Sequence, residues 1–342
     1  MNILVIKTTS LGDVLHATPH LRAIKKNYPD AHLTVLTAIS SAEIYAHNPY
    51  VDRLVLFDHA RFKKLGLRSP RELMILIKQT LAEINDREYA LAFDLQGLLR
   101  SVVFLYFAHA KHKFVKGRWP GLGGFRDKQL HAIDEMTQVL AAADIAVGDT
   151  YMEFARAPEI TDRLQKIMRA QGHENLLQPP AGRGFIVISP FTRWVSKNWP
   201  LDRFTQIASR LSGEYTVLIT GTAGDRDAIT ASLKTVSGTE KIGNFAGQLS
   251  LAELAELMSH AALVISGDSF PMHLATAVGA PLVALFGPTD ERKTGPRSDN
   301  SIVLRPAECG RCDKPDCVRA CLGQITVAQL ETASRELLSR EE

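Results

Sequence analysis

The sequence has no apolar run approaching the roughly 20 residues needed to span a bilayer, although 45% of its 342 residues are hydrophobic. The first apolar run, residues 3–6, is too short for a signal peptide, and no small-residue cleavage site follows it. We therefore expect a cytoplasmic protein whose contact with any membrane is peripheral.

The sequence has no large excess of positive or negative charge and few aromatic residues. Lys and Arg number 40 against 37 Asp and Glu, and the net charge of +3 is too small to argue for nucleic-acid binding by itself. Aromatic residues make up 7% and charged residues 23%, an ordinary composition for a globular protein. The length is sufficient for two domains, each with its own core.

Cysteine is nearly absent, and all four cysteines lie near the C-terminus: Cys309, Cys312, Cys317 and Cys321. In a reducing compartment such a cluster fits free thiols or a metal site better than disulfides. The first pair has the spacing of a metal knuckle, but the other gaps match neither ferredoxins nor the usual zinc fingers. A structural zinc or iron site and free thiols both remain open.

Short apolar runs alternate with helical patterns along the chain, which predicts parallel βαβ units. The clearest helices are predicted over residues 15–27 and 70–85. A first series of strands is predicted at residues 3–6, 32–36, 53–57 and 91–95, and a second at 184–190, 215–220, 263–266 and 282–286.

A segment rich in Pro and Gly, residues 178–184, separates the two series. We predict an N-terminal domain over residues 1–177, a linker over 178–184, a C-terminal domain over 185–325 and a final helix over 326–342. The simplest α/β architecture is two doubly wound, Rossmann-like domains facing each other across a cleft. Ligands would then bind at the carboxyl ends of the strands.

The loop after the first strand is one candidate site. Residues 7–13 read KTTSLGD, in which Gly12 permits a tight turn and Asp13 begins a helix. Asp13 can cap that helix, or it can act as a general base that takes a proton from a hydroxyl group. The two roles are compatible.

The loop that opens the second series is another candidate. Residues 189–200 read SPFTRWVSKNWP and place Arg193 and Lys197 just ahead of a predicted helix. A helix N-terminus with adjacent cations is a natural anion site, and Lys197 could neutralise a diphosphate leaving group without a metal. A solvated basic loop would have the same composition.

Two further strand ends carry polar residues. Residues 220–227, TGTAGDRD, place Asp225 at an acidic helix start, which is common for packing reasons alone. Residues 266–275, SGDSFPMHLA, end an apolar strand at a turn whose amides could hold phosphate, with Asp268 available to sugar hydroxyls. His273 follows one turn later, although a lone His is usually structural. No P-loop and no G-x-G-x-x-G motif is present, which weakens kinase, ATPase and dehydrogenase interpretations.

Together these motifs resemble the ADP-heptose:lipopolysaccharide heptosyltransferases, glycosyltransferase family 9, over nearly the whole chain. The order and spacing of the motifs are specific, although each motif alone is not. The resemblance is carried by residues 7–13, 94–101 (DLQGLLRS), 131–134 (HAID), 194–200 (WVSKNWP), 246–251 (AGQLSL) and 267–273 (GDSFPMH).

The resemblance implies a GT-B fold with an acceptor-binding N-terminal domain and a nucleotide-sugar-binding C-terminal domain. It also implies an inverting transfer that requires no metal or other cofactor. The implied donor is ADP-L-glycero-β-D-manno-heptose, and the implied acceptor is Kdo-lipid A or a heptosylated inner core of lipopolysaccharide. A location at the cytoplasmic face of the inner membrane, without nucleic-acid partners, follows from that acceptor.

Site residues are implied position by position. Asp13 matches the catalytic base of the family, and Lys197 matches the lysine on the donor diphosphate. The other donor-binding residues implied are Thr192, Arg193, Ser196, Asp225, Asp268, Ser269 and His273. For the anionic acceptor we expect Ser10, Gly12, Lys63, Lys64, Arg68 and Arg118, with a solvated face as the alternative for the cations.

One residue departs from the family pattern. The donor turn commonly reads Asp-Ser/Thr-Gly-Pro-x-His, but Phe270 stands at the position of the glycine. Glycine would let the backbone approach a phosphate closely, so the departure concerns this amide contact and the choice of donor.

Other functions are compatible with the same fold. The chain could be a GT-B glycosyltransferase with another nucleotide sugar or a protein acceptor, or a non-catalytic nucleotide-sugar-binding protein. The presence of both Asp13 and Lys197 favours an enzyme, and product formation would discriminate among these functions.

Overall fold

The strands of the chain form two parallel sheets of six strands each in the computed structural model, which describes residues 1–66, 68–177, 184–317 and 321–340. Contacts between residues divide the chain into a first unit, Met1–Ala155, and a second unit, Arg156–Glu342. Each unit contains one of the two sheets with helices packed on it.

The first unit alternates strands and helices from its first residues. Its elements are β1 Asn2–Ile6, α1 Leu11–Leu15, α2 Thr18–Asn27, β2 His32–Ala38, α3 Ala42–Tyr45, β3 Arg53–Phe57, α4 His59–Leu65, α5 Pro70–Ile84, β4 Tyr89–Asp94, α6 Leu99–Phe107, β5 Ala110–Lys116, β6 Gly123–Phe125 and α7 Ala132–Ala141.

The second unit begins with a helix and ends with one. Its elements are α8 Glu159–Ala170, β7 Phe185–Ser189, α9 Leu201–Leu211, β8 Thr216–Ile219, α10 Arg226–Leu233, β9 Ile242–Asn244, α11 Leu251–Ser259, β10 Leu263–Gly267, α12 Phe270–Ala277, β11 Leu282–Leu285, α13 Glu291–Thr294, β12 Ser301–Leu304 and α14 Val327–Leu338.

The two sheets have the same topology. The strand order is β3-β2-β1-β4-β5-β6 in the first sheet and β12-β11-β10-β7-β8-β9 in the second. When the strands of each unit are numbered from one, the first order is 3-2-1-4-5-6, and the second is the same order listed from the opposite edge. This is the doubly wound strand order. The order reverses between β1 and β4 and between β7 and β10, so ligands are expected at the carboxyl ends of these two strand pairs.

The central strands are buried because helices cover both faces of a parallel sheet, and such strands read as continuous apolar runs. In β1 all residues after Asn2 are buried, and in β7 all five are. The helices complete the cores with amphipathic faces: α9 buries Phe204, Ile207, Ala208 and Leu211 at helical spacing.

The start of the second unit is set by the packing of α8 on α11. Arg163 forms an ion pair with Glu253 at 3.0 Å, and Thr161 donates a hydrogen bond to Glu256 at 2.7 Å. In this division residues 156–177 group with the second unit. Residues 178–183 of the predicted linker lie outside the described residues, so the linker boundaries remain a prediction.

The C-terminal helix forms as α14, with Thr326 as its N-cap and Gln329 completing a capping box. Leu330, Leu337 and Leu338 join the core of the second unit. No helix in the described ranges is both long and apolar enough to cross a membrane.

Candidate active site

Asp13 lies in the first turn of α1, which follows β1 at the switch point of the first sheet. One of its carboxylate oxygens, Oδ2, accepts hydrogen bonds from the backbone N–H and the hydroxyl of Ser10, each at 3.0 Å. Asp13 therefore caps α1, as the first of its two possible roles requires. The cap fixes the carboxylate at the carboxyl end of the sheet, and this position suits the second role as well.

A buried lysine supplies the positive charge next to Asp13. Lys7 directly follows β1, is 2% exposed, and donates from Nζ to the Leu95 carbonyl at 3.2 Å. Burial by itself would raise the pKa of the Asp13 carboxyl, but the charge of Lys7 and the hydrogen bonds from Ser10 outweigh it and leave that pKa below its ordinary value. Burial in turn lowers the pKa of Lys7 to about 8, with Asp13 opposing the shift.

The β4–α6 loop supports the Asp13 turn from the neighbouring strand. The side-chain oxygen of Gln96 accepts from the backbone N–H of Thr9 at 3.0 Å, and Arg100 donates to the Thr9 hydroxyl at 2.8 Å. Asp94 accepts from the N–H groups of Gln96 and Gly97 at 2.8 and 3.1 Å. The 94–101 motif thus holds the β1 loop in place.

Asp94 carries an unusual carboxyl group. Burial raises its pKa to about 6, although hydrogen bonds from the loop and the charge of Lys7 act in the opposite direction. Its second oxygen, Oδ2, is buried and has no hydrogen-bond partner among the described residues. Buried Lys7 and Asp94 and half-buried Asp13 therefore form a group of ionisable side chains at the switch point.

The residues predicted to bind the acceptor are spread along one sheet edge. Ser10 and Gly12 lie beside Asp13 at the end of β1. Lys63 and Lys64 lie on α4 and Arg68 in the turn after it, and Arg118 follows β5. All four cations are exposed. The topology places them at the carboxyl edge of the first sheet, on both sides of the switch point.

Lys197 and Asp268 form an ion pair at the switch point of the second sheet. The ammonium of Lys197 lies 2.7 Å from a carboxylate oxygen of Asp268 and 4.5 Å from the centre of the Trp194 ring. Asp268 is 5% exposed. The loop after β7 and the turn after β10 therefore meet through opposite charges, as expected for neighbouring strands.

Thr289 completes this group from β11, the next strand in the sheet. Its hydroxyl donates to the same Asp268 oxygen at 2.5 Å, and Arg305 donates to its backbone carbonyl at 2.9 Å. The loops also touch directly, since a Cβ on Gly267 would lie 2.8 Å from the methyl group of Thr192. Glycine is required at position 267 for this close approach.

The other predicted donor residues lie around the ion pair or near it. Thr192 donates to the Trp194 carbonyl at 2.9 Å, and Ser196 donates to the Lys314 carbonyl at 2.9 Å. Ser269 is the N-cap residue of α12, and His273 is buried in that helix. Arg193 is exposed.

Asp225 lies one strand away from this group, in the turn after β8. Its Oδ2 accepts from the N–H and the hydroxyl of Thr222 at 2.7 and 2.6 Å, a capping box like that of Ser10 and Asp13. Its role toward a nucleotide remains a prediction. Phe270 begins α12, and the helix forms with Pro271 in its first turn.

The four cysteines differ in their surroundings and form no disulfide among the described residues. Cys309 is buried and donates from Sγ to the Gly287 carbonyl at 3.0 Å, whereas Cys312 is exposed. Burial and the neighbouring thiols of Cys309 and Cys317 raise the pKa of the Cys321 thiol. Within the described residues, no three His, Cys, Asp or Glu side chains are placed to hold a metal ion. A structural zinc or iron site on these cysteines remains a prediction.

Three residues of these sites carry no role in the sequence-based prediction: Lys7, Asp94 and Thr289. A lysine after a buried strand and a threonine after a Gly-Pro turn are common. The strand order brings Asp94 near Lys7 and Thr289 to Asp268, and the sequence alone does not show this.

The chain is similar to curated heptosyltransferases over most of its length. It is 26% identical over 303 residues to lipopolysaccharide heptosyltransferase 3 of Escherichia coli, covering 85% of this chain and 84% of that protein. It is 28% identical over 327 residues to lipopolysaccharide heptosyltransferase 1 of Pseudomonas aeruginosa, covering 93% and 87%.

Solved structures share the fold. A glycosyltransferase family 9 protein from Veillonella parvula superimposes with a TM-score of 0.86 at 23% identity, covering 99% of this chain and 97% of that one. The E. coli heptosyltransferase WaaC with ADP superimposes with a TM-score of 0.77 at 21% identity, covering 98% and 100%.

The fold and these similarities define the class: the protein is a glycosyltransferase with the GT-B type of α/β fold, as the sequence predicted. The model of glycosyltransferase family 9 (heptosyltransferase) matches residues 77–322. The chain belongs to this family, so the resemblance drawn from its motifs is confirmed.

Proposed function

We propose that this chain transfers heptose from ADP-heptose to the inner core of lipopolysaccharide, with inversion at the sugar carbon. Membership of family 9 and the names of its heptosyltransferase relatives support the donor and the acceptor. The structure supports the chemistry through one observation above all: Asp13 is held beside a buried lysine that keeps it anionic.

In the proposed step, an acceptor hydroxyl attacks the anomeric carbon of the heptose. The hydroxyl proton passes to Asp13 as the new carbon–oxygen bond forms. The bond between that carbon and the diphosphate oxygen breaks on the opposite face, and ADP leaves with its electron pair. An anionic Asp13 is the protonation state that this step requires.

Lys197 is the group proposed to stabilise the departing diphosphate. A fixed ammonium in a partly buried site stabilises developing negative charge without reorganisation. In the structure Asp268 already holds that ammonium in place. Thr192, Arg193, Ser196, Asp225, Ser269 and His273 are proposed to bind the rest of the donor, and Ser10, Gly12, Lys63, Lys64, Arg68 and Arg118 the anionic acceptor. An enzyme that acts on a lipid acceptor would contact the cytoplasmic face of the inner membrane peripherally.

The deciding assay incubates the full chain with ADP-heptose and a panel of truncated lipopolysaccharide acceptors, and follows ADP release and acceptor mass. A heptose mass increment on one acceptor would establish the reaction and identify the core position. Binding of ADP-heptose without a product would favour another acceptor or a non-catalytic protein. No binding would favour another nucleotide sugar, with Phe270 as the first residue to test.

The base is tested by Asp13→Asn. The amide oxygen of Asn can still accept the Ser10 hydrogen bonds, so the cap and the fold should persist, but it cannot take the proton. We expect kcat to fall by about 10² or more, with the affinity for ADP-heptose unchanged. Glu253→Gln changes another capping-box carboxylate, in α11, and should leave kcat unchanged. Wild-type turnover by the Asp13→Asn protein would eliminate Asp13 as the base.

A further inference from the structure

An open apolar pocket lies between three helices of the first unit. It has a volume of about 500 Å³ and is lined by Phe62 of α4, Ile77 of α5, and Leu98, Leu99, Arg100 and Val103 at the start of α6. Every lining residue except Arg100 is apolar. A volume of this size is typical of pockets that hold small apolar ligands.

Large apolar side chains around the pocket are exposed to solvent. Leu99 is 68% exposed and Leu98 is 40% exposed, directly beside each other at the N-terminus of α6. On α5, Met74 and Ile75 are also more than half exposed. Exposed apolar groups clustered around a pocket mark a binding surface more often than scattered ones do.

Positive charge surrounds the same helices. Lys63 and Lys64 follow Phe62 in the sequence of α4, and Arg68 and Arg71 come next, in the turn and at the start of α5. All four are exposed, and none forms an ion pair within the described part of the chain. A pocket with an apolar lining and cations on neighbouring turns is complementary to an anionic amphiphile, in which a charged head is attached to a hydrocarbon chain.

A hydrogen bond links one lining residue of the pocket to the loop of the proposed base. Arg100 lines it and donates to the hydroxyl of Thr9, the residue before Ser10, which in turn holds Asp13. The pocket lining and the loop that holds Asp13 are thus neighbours in the first unit.

We propose that this pocket receives an acyl chain of the anionic lipid acceptor. The inference rests on the proposed function and specifies it: the enzyme recognises the hydrocarbon part of its acceptor as well as the sugar that receives the heptose. The four cations would bind the phosphate or carboxylate groups next to that chain. Burial of about four methylene groups would tighten binding at least tenfold.

The pocket is tested by binding of dodecyl phosphate and butyl phosphate, measured calorimetrically with the full chain below the micelle concentration. The wild-type chain should bind the dodecyl ester at least tenfold more tightly. Val103→Trp fills the pocket and should reduce this ratio below threefold. Leu56→Trp, which enlarges an exposed apolar residue on β3 outside the pocket lining, should retain the wild-type ratio.

A transfer assay separates this inference from the proposed function. Wild-type chain should show a KM at least tenfold lower for an acylated acceptor than for its deacylated form, and Val103→Trp should remove the difference without lowering turnover of the deacylated acceptor. Transfer to both acceptors with equal KM would confirm the function and overturn the pocket. Equal binding of the two esters, or a chain-length preference that a folded Val103→Trp protein retains, would also overturn it. If the protein sediments with phosphatidylglycerol vesicles but binds the dodecyl and butyl esters equally, the acyl pocket is overturned and the surface binds a membrane instead.

Discussion

At the scale of single residues, the chemistry proposed for the first unit depends on charges that the fold brings together. Lys7, Asp13 and Asp94 each lie at the end of a central strand or in the turn after it, and the charge of Lys7 acts on both carboxyl groups. Asp13 was predicted from its motif, whereas Lys7 and Asp94 carried no predicted role. Their proposed roles depend on the low dielectric that burial imposes and on charges that act on one another.

The first prediction at this scale concerns Lys7→Met. Removing the positive charge should raise the pKa of Asp13, because burial then acts without its main opposing effect. Asp13 would be protonated up to a higher pH, so the acid limb of the kcat/KM profile should move upward and the loss of activity should be largest at low pH. The profile of transfer between pH 5 and 9 measures this.

A matched control for Lys7 lies on α2 of the same unit. Lys25 pairs with Asp52 at 2.7 Å, and Lys25→Met should leave the acid limb in place. A Lys7→Met profile that is scaled down equally at every pH would mean that Lys7 supports only the fold of the loop.

Asp94 gives a prediction about stability. Its pKa is raised from 3.8 to about 6 in the folded state, so between these values the folded state binds more protons than the unfolded state, and stability falls as pH rises. Asp94→Asn lacks this effect. The unfolding free energy of the wild type minus that of the variant should therefore drop by about 2 kcal/mol between pH 4 and 7.

Chemical denaturation at the two pH values measures the difference. Asp86→Asn is the opposite control, because the hydrogen bond from Arg53 lowers the pKa of Asp86. The unfolding free energy of the wild type minus that of this variant should therefore increase as pH rises. A constant difference for Asp94→Asn would show that Asp94 titrates alike in both states.

The donor group offers a third prediction at this scale. Thr289→Val removes the hydroxyl that donates to Asp268 while keeping nearly the same side-chain volume. Asp268 would hold Lys197 less firmly, and the KM for ADP-heptose should rise by about fivefold to tenfold, with a smaller change in kcat. Initial rates at varied donor concentration test this. Thr276→Val, at a helical hydroxyl that donates to the Met272 carbonyl, should leave the donor KM near that of the wild type.

At the scale of elements, the central strands were predictable and the outer ones were not. The eight strands predicted are those that form β1 to β4, β7, β8, β10 and β11, most of which are apolar runs buried on both faces. The strands that sequence reasoning missed lie toward the sheet edges. β5 reads AKHKFVK and has only one buried residue, β6 and β9 have three residues each, and β12 has four half-buried residues. Such strands form because a neighbouring strand provides backbone hydrogen-bond partners. The pattern of apolar residues along the sequence does not reveal this.

Gly97 allows a prediction about the packing of the β4–α6 loop on β5. It adopts a φ of +69° in the β4–α6 loop, and a Cβ there would lie 1.8 Å from the Lys116 carbonyl oxygen. Gly97→Ala should therefore force β5 and this loop apart and lower the unfolding free energy by about 3 kcal/mol or more. Thermal unfolding measures the effect.

Gly121 is an unusually close control. Its φ is also +69°, but nothing lies within 4 Å of the added Cβ. Gly121→Ala should cost only the backbone strain of about 1 kcal/mol. Equal losses for the two variants would mean that the contact with Lys116 is relieved easily and that only the backbone conformation matters.

At the scale of the whole molecule, the positions of the site loops were predictable but their contacts were not. The motifs at Asp13, Lys197 and Asp268 follow central strands, and a doubly wound sheet brings such loops to one edge. The Lys197–Asp268 pair joins residues 71 positions apart, so only the strand order could reveal it. The cysteine spacing likewise did not reveal that Cys309 is buried against the Gly287 carbonyl while Cys312 is exposed.

Each unit has a core of its own, which leads to a prediction for the molecule. Leu330 of α14 is fully buried in the core of the second unit, and Leu330→Ala should destabilise that unit by about 2–5 kcal/mol. Hydrogen exchange should increase in β7, β10 and β11 and stay unchanged in β1, β2 and β4. Leu4→Ala, in the core of the first unit, is the reciprocal variant and should give the reverse pattern. Equal loss in both sheets would show that the chain unfolds as one cooperative body.

The repeated strand order has a consequence for how such a protein can change over time. The loop of Asp13 and the loop of Lys197 occupy the same place in two copies of one topology, after the first strand of each sheet. One copy presents an acid there and the other a cation. Because neither side chain belongs to an apolar core cluster, each loop can vary without repacking the sheet beneath it. Donor and acceptor preferences can then diverge separately, as two traits that selection can act on one at a time within a single gene.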